Sequence, residues 1–242
     1  MNVIQARIQC FGRFMLLSPS GEALKWRTSK AQELMAYLVH HRGEAVDRSR
    51  IMDALWGDDA AKTPAYFNTT AHYLRNNLTN IGLSDILQHH KGMYRIRVEA
   101  FDVDSLTFER WMPTCKIIHF GNIKGCEDAA KLYTGGYLAN KDYSWTEQRR
   151  ASFENKYLEL IIGMNHYYME EGKYSASIKL LKKAIKQIPW NETLHNLLIR
   201  AHLDDHDRLA ALKQYDVLKR MLRREYREEP GDEIKRIMHL KR

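Results

Sequence analysis

Between Thr63 and Asn80 the chain sets out Tyr66, Thr69, His72, Tyr73, Asn76 and Asn80, with Thr70 and Arg75 on their flanks. Hydroxyls, amides, an imidazole and a guanidinium are groups that hydrogen-bond the base edges and phosphates of a nucleic-acid duplex, and no carboxylate interrupts them. An ordinary solvated helix face has a similar make-up, so this stretch alone leaves both readings open. Other chemistries find less support. Cys115, His119 and Cys126 lack a nearby fourth ligand, which a structural zinc normally has, and no Cys-x-x-Cys occurs. Asp58-Asp59, Glu170-Glu171, Asp204-Asp205 and Glu228-Glu229 fall in loops or at helix ends and read as solvated surface. Dinucleotide, Walker, Gly-x-Ser-x-Gly and His-Glu-x-x-His patterns are absent, so neither an enzyme nor a cofactor is expected.

The elements that must position the polar residues can be read from spacing. Thr63 suits a helix cap and Pro64 its first turn. Phe67, Ala71, Leu74 and Leu78 recur at intervals of four, three and four and form one apolar stripe, which leaves the polar set on the other face. Upstream, Ile4 to Cys10 alternates, Arg13 to Leu17 is apolar, and Ser18-Pro19-Ser20-Gly21 turns the chain before Ala23 to Trp26, as in a small antiparallel sheet. Ser29 and Gln32 form a capping-box pair ahead of Ala31, Leu34, Met35, Leu38 and Val39. That helix is expected to end at His40-His41-Arg42-Gly43, with the histidines as cations at its negative end. Asp47 can cap a second helix through Ile51, Met52 and Leu55 to Trp56-Gly57. Downstream, two strand-prone runs around His89-His90-Lys91-Gly92 predict a β-hairpin. Sheet, three helices and hairpin are the parts of a winged helix-turn-helix, whose third helix enters the major groove while the hairpin touches backbone or minor groove.

Composition agrees with an anionic partner. The chain of 242 residues carries a net charge of +8, of which +5 falls within residues 1–98. A hydrophobic content of 44% suffices for cores, while no run approaches the roughly 18 apolar residues of a membrane span, so no membrane partner is expected. Met-Asn-Val-Ile-Gln-Ala-Arg lacks the basic start and apolar segment of a secretory signal, and three unpaired cysteines fit reduced thiols; the expected compartment is the cytoplasm.

The rear of the chain reads differently. Glu99 to Trp111 mixes acids with Phe101, Val103, Leu106 and Phe108 and is read as a helix capped by Asp104 or Ser105, joining two bodies with a boundary near Pro113. Helices then follow at Glu127 to Tyr133, Thr146 to Glu171, Lys173 to Ile188, Glu192 to Leu203, Arg208 to Arg224 and from about Asp232. Phe153, Tyr157, Leu160, Ile161, Met164 and Tyr168 form one stripe of the long helix. Residues 173–179 align with residues 207–213 at an offset of 34, the tetratricopeptide period, in which small residues let paired helices cross closely. The expected architecture is thus mainly α with small antiparallel sheets: a winged helix over residues 1–98, a connector over 99–113 and a tetratricopeptide-like block over 114–242.

These blocks resemble a known family. Lys30-Ala31-Gln32-Glu33-Leu34-Met35-Ala36-Tyr37-Leu38, Val46-Asp47-Arg48 to Ala54-Leu55-Trp56-Gly57-Asp58, Asn68-Thr69-Thr70-Ala71-His72-Tyr73-Leu74-Arg75 and Tyr94-Arg95 look like the OmpR-type winged helix of SARP-type transcriptional activators. The helical block, with Gly136-Tyr137-Leu138 and Asp142-Tyr143-Ser144-Trp145 at the start of its long helix, looks like the bacterial transcriptional activation domain. The resemblance places Thr69 and Tyr73 at base edges with Asn68 beside them, Thr70, His72 and Arg75 at phosphates, and Lys91 in the wing. Asn76 on the polar face and His90 at the wing tip complete the expected DNA-binding set. Tyr73 stands where relatives often carry a basic residue, and Met93 where they have a glycine. The resemblance implies an activator that binds direct repeats in double-stranded DNA, often as a side-by-side dimer, and recruits RNA polymerase. Two further readings stay open: the output half of a two-component regulator whose receiver is absent from this chain, since residues before Ile4 are too few, and a tetratricopeptide adaptor that binds only protein.

Overall fold

The computed structural model describes residues 6–57 and 63–240. Ile4, with which the first strand was expected to begin, and Asp58 and Asp59 lie outside the described residues. Two compact units make up the chain, one comprising residues up to Arg110 together with Gly136–Phe153, the other Trp111–Gly135 and Glu154–Arg242.

The first unit begins with a three-stranded sheet. Strand β1 (Ala6–Gln9) pairs antiparallel with β2 (Met15–Leu17) and parallel with β6 (Phe101–Val103). The parallel pair departs from the expected all-antiparallel sheet, and Ala23 makes only a bridge to Leu17 rather than a strand. Phe101 and Val103 also depart from the expected helix. They are buried strand residues alternating with exposed Asp102, and α4 starts only at Asp104 (Asp104–Trp111). Asp104 is the first residue of α4, and its carboxylate accepts from Ser105 N at 2.6 Å and from Cys10 N and Phe11 N at 2.7 and 3.0 Å. It thereby holds the end of β1 to the start of α4, and burial raises its pKa to about 6 despite the three donors.

Helix α1 (Ser29–His40) is capped one residue earlier than expected. Thr28 Oγ1 accepts from Ala31 N at 3.1 Å, while the Gln32 side chain turns to the Phe14 carbonyl, so no Ser29–Gln32 box forms. The other end differs in charge from expectation. Burial and the Arg149 charge push His40 down to about pKa 3, so its imidazole is neutral. The cation at that helix end is Arg149, which donates to the His40 carbonyl and meets Glu109 at 3.3 Å. The exit turn uses positive φ at Arg42 (56°) and Gly43 (85°); a Cβ on Gly43 would lie 3.0 Å from Val98 Cγ2 and 3.3 Å from the Ile96 carbonyl oxygen.

Helix α2 (Arg48–Trp56) starts at Asp47, whose carboxylate accepts from Ser49 N at 2.7 Å. Helix α3 (Pro64–Thr79) starts at Thr63, whose Oγ1 accepts from Tyr66 N at 3.2 Å. A second sheet places β5 (Met93–Ile96) between β3 (Val46–Asp47) and β4 (Leu87–His90), all antiparallel. Residues 136–153 close the unit: Leu138 N donates to the Cys10 carbonyl at 2.7 Å, Gly12 N to the Gly136 carbonyl at 2.9 Å, and Phe11 meets Phe108 and Phe153 edge to face.

The second unit is all helical. It contains α5 (Ile123–Leu132), most of α6 (Glu147–Glu170), α7 (Tyr174–Gln187), α8 (Glu192–Asp204), α9 (Arg208–Glu225) and α10 (Asp232–Leu240). The offset of 34 holds at the level of packing: Ser177 and Ala211 are fully buried counterparts, as are Ala184 and Leu218. The close-crossing position is therefore Ser177/Ala211, while the aligned Ala176 and Ala210 are only half-buried. Ser177 donates to Asn165 Oδ1 at 2.6 Å within the α6–α7 contact. Ile199, Leu218 and Ile234 join α8, α9 and α10 in one cluster.

Candidate nucleic-acid interface

Helix α3 buries Phe67, Ala71, Leu74 and Leu78, and this orients its other face outward. Asn68, Thr69, His72, Arg75 and Asn76 are exposed, and Tyr73 is half-buried. Their arrangement is partly braced. Asn76 Nδ2 and His72 Nε2 are 3.0 Å apart across one turn, and Thr69 Oγ1 donates to the Ala65 carbonyl at 3.0 Å, which leaves its oxygen free to accept. No ion pair occupies Arg75 among the described residues, so its guanidinium faces solvent with its full donor set.

Thr70 is a correction. It is 4% exposed and its hydroxyl donates to the Tyr66 carbonyl at 3.0 Å, so it belongs to the buried flank and cannot reach a phosphate. The same flank holds Asn77, whose Nδ2 donates to the Lys25 carbonyl at 3.0 Å. That bond ties the segment ahead of α1 to the helix and brings Arg27 alongside, with its guanidinium 4.5 Å from the Tyr73 ring centroid. Arg27 is thus a member of the polar face that sequence spacing missed. The run Lys25-Trp26-Arg27 was its only signal, and it follows no helical or strand period.

The hairpin β4–β5 turns through Lys91 and Gly92, with φ of 48° and 81°. Positive φ at both central residues is the two-residue turn whose twist matches the flanking strands; Gly92 therefore supplies the turn, although Met93 sits directly before Tyr94. His90 and Lys91 are exposed at this tip. Tyr94 connects the hairpin to α3: its ring packs on Phe67 at 4.8 Å and on His89 at 4.3 Å. The start of α2 adjoins the turn, since Arg48 N donates to the Gly92 carbonyl at 3.0 Å. Helix α3, the hairpin and α2 are consequently held as one piece by buried aromatic and backbone contacts.

Cys126 and His119, weighed above as metal ligands, are engaged structurally. Burial, with Cys115 as neighbour, raises the Cys126 thiol to about 12, and His119 Nδ1 accepts from Gly121 N at 3.1 Å. No group of three or more potential ligands that could hold a metal ion occurs among the described residues, and no described helix is long and apolar enough to cross a membrane.

Residues 120–240 match the family model of the bacterial transcriptional activator domain, and residues 22–95 match that of the C-terminal part of transcriptional regulatory proteins. Both are families of transcription regulators rather than enzymes, and the second window contains α3 and the whole hairpin. The structure is similar to that of Mycobacterium tuberculosis EmbR in complex with a low-affinity phosphopeptide, with a TM-score of 0.69 over 98% of this chain at 19% identity. At that identity the likeness concerns the fold: a winged helix followed by an all-helical region. The chain spans 65% of the EmbR chain. No curated protein matches the sequence.

Proposed function

We propose, from the premise that this chain belongs to the bacterial transcriptional activator domain family, that it binds double-stranded DNA by sequence and activates transcription. The observation that carries this reading is the outward face of α3, which offers amide, hydroxyl, imidazole and guanidinium groups without a carboxylate on a helix locked to an exposed basic hairpin turn. In it, α3 lies in the major groove with Thr69 and Tyr73 at base edges and Asn68 beside them. His72, Arg75 and Asn76 face the phosphates at the groove edge, joined by Arg27 in the place expected for Thr70. His90 and Lys91 meet the backbone or minor groove at the next turn of the duplex. Tyr73 offers one hydroxyl and a ring, so it selects by single hydrogen bonding and by contact with a thymine methyl, not by the paired donors an arginine would bring to guanine.

The helical unit, in this reading, supports a pair of chains on direct repeats and recruits RNA polymerase; stacked helix pairs of this period commonly present protein-binding surfaces. Fluorescence anisotropy with labelled duplexes across a salt series tests the DNA step. Binding that weakens steeply with salt and differs between random and selected sequences supports it. Absence of binding, or affinity insensitive to salt, would instead mark a protein-binding adaptor.

A further inference from the structure

The helical unit holds a cavity of about 630 Å³ that the DNA-binding reading leaves unused. Its floor is aromatic and apolar: Tyr133 and Tyr157 stack with centroids 4.1 Å apart and planes within 11°, and Ile161 and Met164 are buried alongside. Burial raises both tyrosine hydroxyls above their usual range, Tyr157 to about 12, so they are neutral at physiological pH. One wall is α7, which contributes Lys179, Lys183 and Lys186 at intervals of four and three, hence along one helix face.

These lysines have no structural partner that would account for them. Helix α7 contains no acidic residue, and among the described residues no carboxylate pairs with Lys179, Lys183 or Lys186. Two carboxylates beside the cavity are taken: Asp128 holds Lys131 at 2.7 Å and Lys124 at 3.3 Å, and Glu127 accepts from Tyr168 at 2.6 Å. Three like charges on one face repel one another unless an anion sits among them. A neighbouring hollow shares Lys179, Lys183 and Lys186 and adds Lys182, Asp205 and Asp207, so the three lysines stand between two spaces, of which the hollow lacks an apolar aromatic floor and carries these two aspartates of its own.

We propose that this cavity binds a small amphipathic anion, with its hydrocarbon or aromatic part on the tyrosine floor and its acidic head among Lys179, Lys183 and Lys186. A concave, mainly apolar space of this size with a few convergent polar groups is the ordinary form of a small-molecule site, which favours such a ligand over an acidic peptide lying along the surface. The inference is independent of the DNA-binding reading, because every residue it uses lies in the helical unit.

Titration calorimetry of the full chain with dodecanoate, kept below its micelle concentration, provides the test. Dodecanoate should bind with one-to-one stoichiometry, and dodecyltrimethylammonium, of equal chain length and opposite charge, at least tenfold more weakly. Lys183→Glu, at an exposed position, should weaken dodecanoate about tenfold, the loss of one charge-assisted contact. Ala130→Phe, which fills the trough from its half-exposed rim, should abolish binding with the thermal unfolding midpoint retained. Lys213→Glu on α9 makes the same charge change away from the cavity and should have no effect. Equal binding of the two surfactants, equal losses in Lys183→Glu and Lys213→Glu, or binding of an acidic amphipathic peptide without binding of dodecanoate would each overturn the proposal.

Discussion

Arg75→Ala gives the most discriminating test of the α3 interface, because the expected change is in a slope rather than in an affinity alone. Arg27, Arg75 and Lys91 are exposed cations on the segment ahead of α1, on α3 and on the hairpin turn. If each neutralises one phosphate, the logarithm of affinity falls with the logarithm of salt concentration with a slope of about −0.9 per contact, or about −2.7 in total. Raising salt fourfold, from 50 to 200 mM in such a titration, should then weaken binding by about 40-fold. Arg75→Ala should reduce the slope to about −1.8 and the same salt step to about 12-fold, equally for random and selected duplexes, since phosphate contacts are blind to sequence. Alanine is the best helix former, so α3 itself should persist. Anisotropy titrations at four or more salt concentrations measure the slope, with Arg75→Lys expected to keep it and Arg220→Ala, on exposed α9, expected to leave it unchanged. A slope in Arg75→Ala indistinguishable from that of the unmodified chain, or a loss confined to one sequence, would refute the phosphate assignment.

Tyr73→Ala should act in the opposite sense, narrowing the ratio between selected and random sites by about 1–3 kcal/mol while total affinity for random DNA changes little; equal losses on both would place Tyr73 away from the bases. Gly43→Ala should destabilise the first unit by about 1–3 kcal/mol in urea unfolding, because its φ is 85° and the added methyl would meet Val98 and the Ile96 carbonyl; unchanged stability would mean the turn relaxes freely. Asp104 sets a pH dependence. Its folded pKa of about 6 lies above the ordinary 3.8, so the stability it contributes is fully present below about pH 3.8 and is lost as pH rises through 6. Relative to Asp104→Asn, the unmodified chain should therefore gain about 2–3 kcal/mol between pH 6.5 and pH 4; parallel stability profiles of the two proteins would exclude this.

The helices of this chain were readable because each carries its own evidence. The stripe Phe67, Ala71, Leu74 and Leu78 and the cap Thr63 are local, and the structure places them as the spacing requires. Strand β6 was not readable: three residues are too few to establish a period, Phe101 and Val103 merge into the apolar spacing of α4, and their parallel partner β1 is more than ninety residues away. His40 illustrates a second limit. Its position at a helix end argued for a cation, but burial against Arg149 makes the imidazole neutral, and no local pattern announces a residue that arrives from so far along the chain. Thr70 and Arg27 fail and succeed for related reasons. A helical wheel puts Thr70 at the margin, where packing decides its side, and Arg27 reaches Tyr73 only because Asn77 anchors the Lys25 carbonyl.

Residues 136–153 have a consequence for anyone who would cut this protein into parts. They set Phe153 edge-on against Phe11 and Tyr137 in an antiparallel bridge with it, and Arg150 donates to the carbonyls of Tyr137 and Leu138 at 2.8 Å, so this late stretch furnishes part of the lining beside the earliest strand. A fragment ending before residue 136 would leave Phe11 without that cover and Asp104 nearer to water. Gene fusions that transplant the first unit should carry residues 136–153 with it, and a swap made at the seam suggested by composition would hand the recipient a unit with an open side.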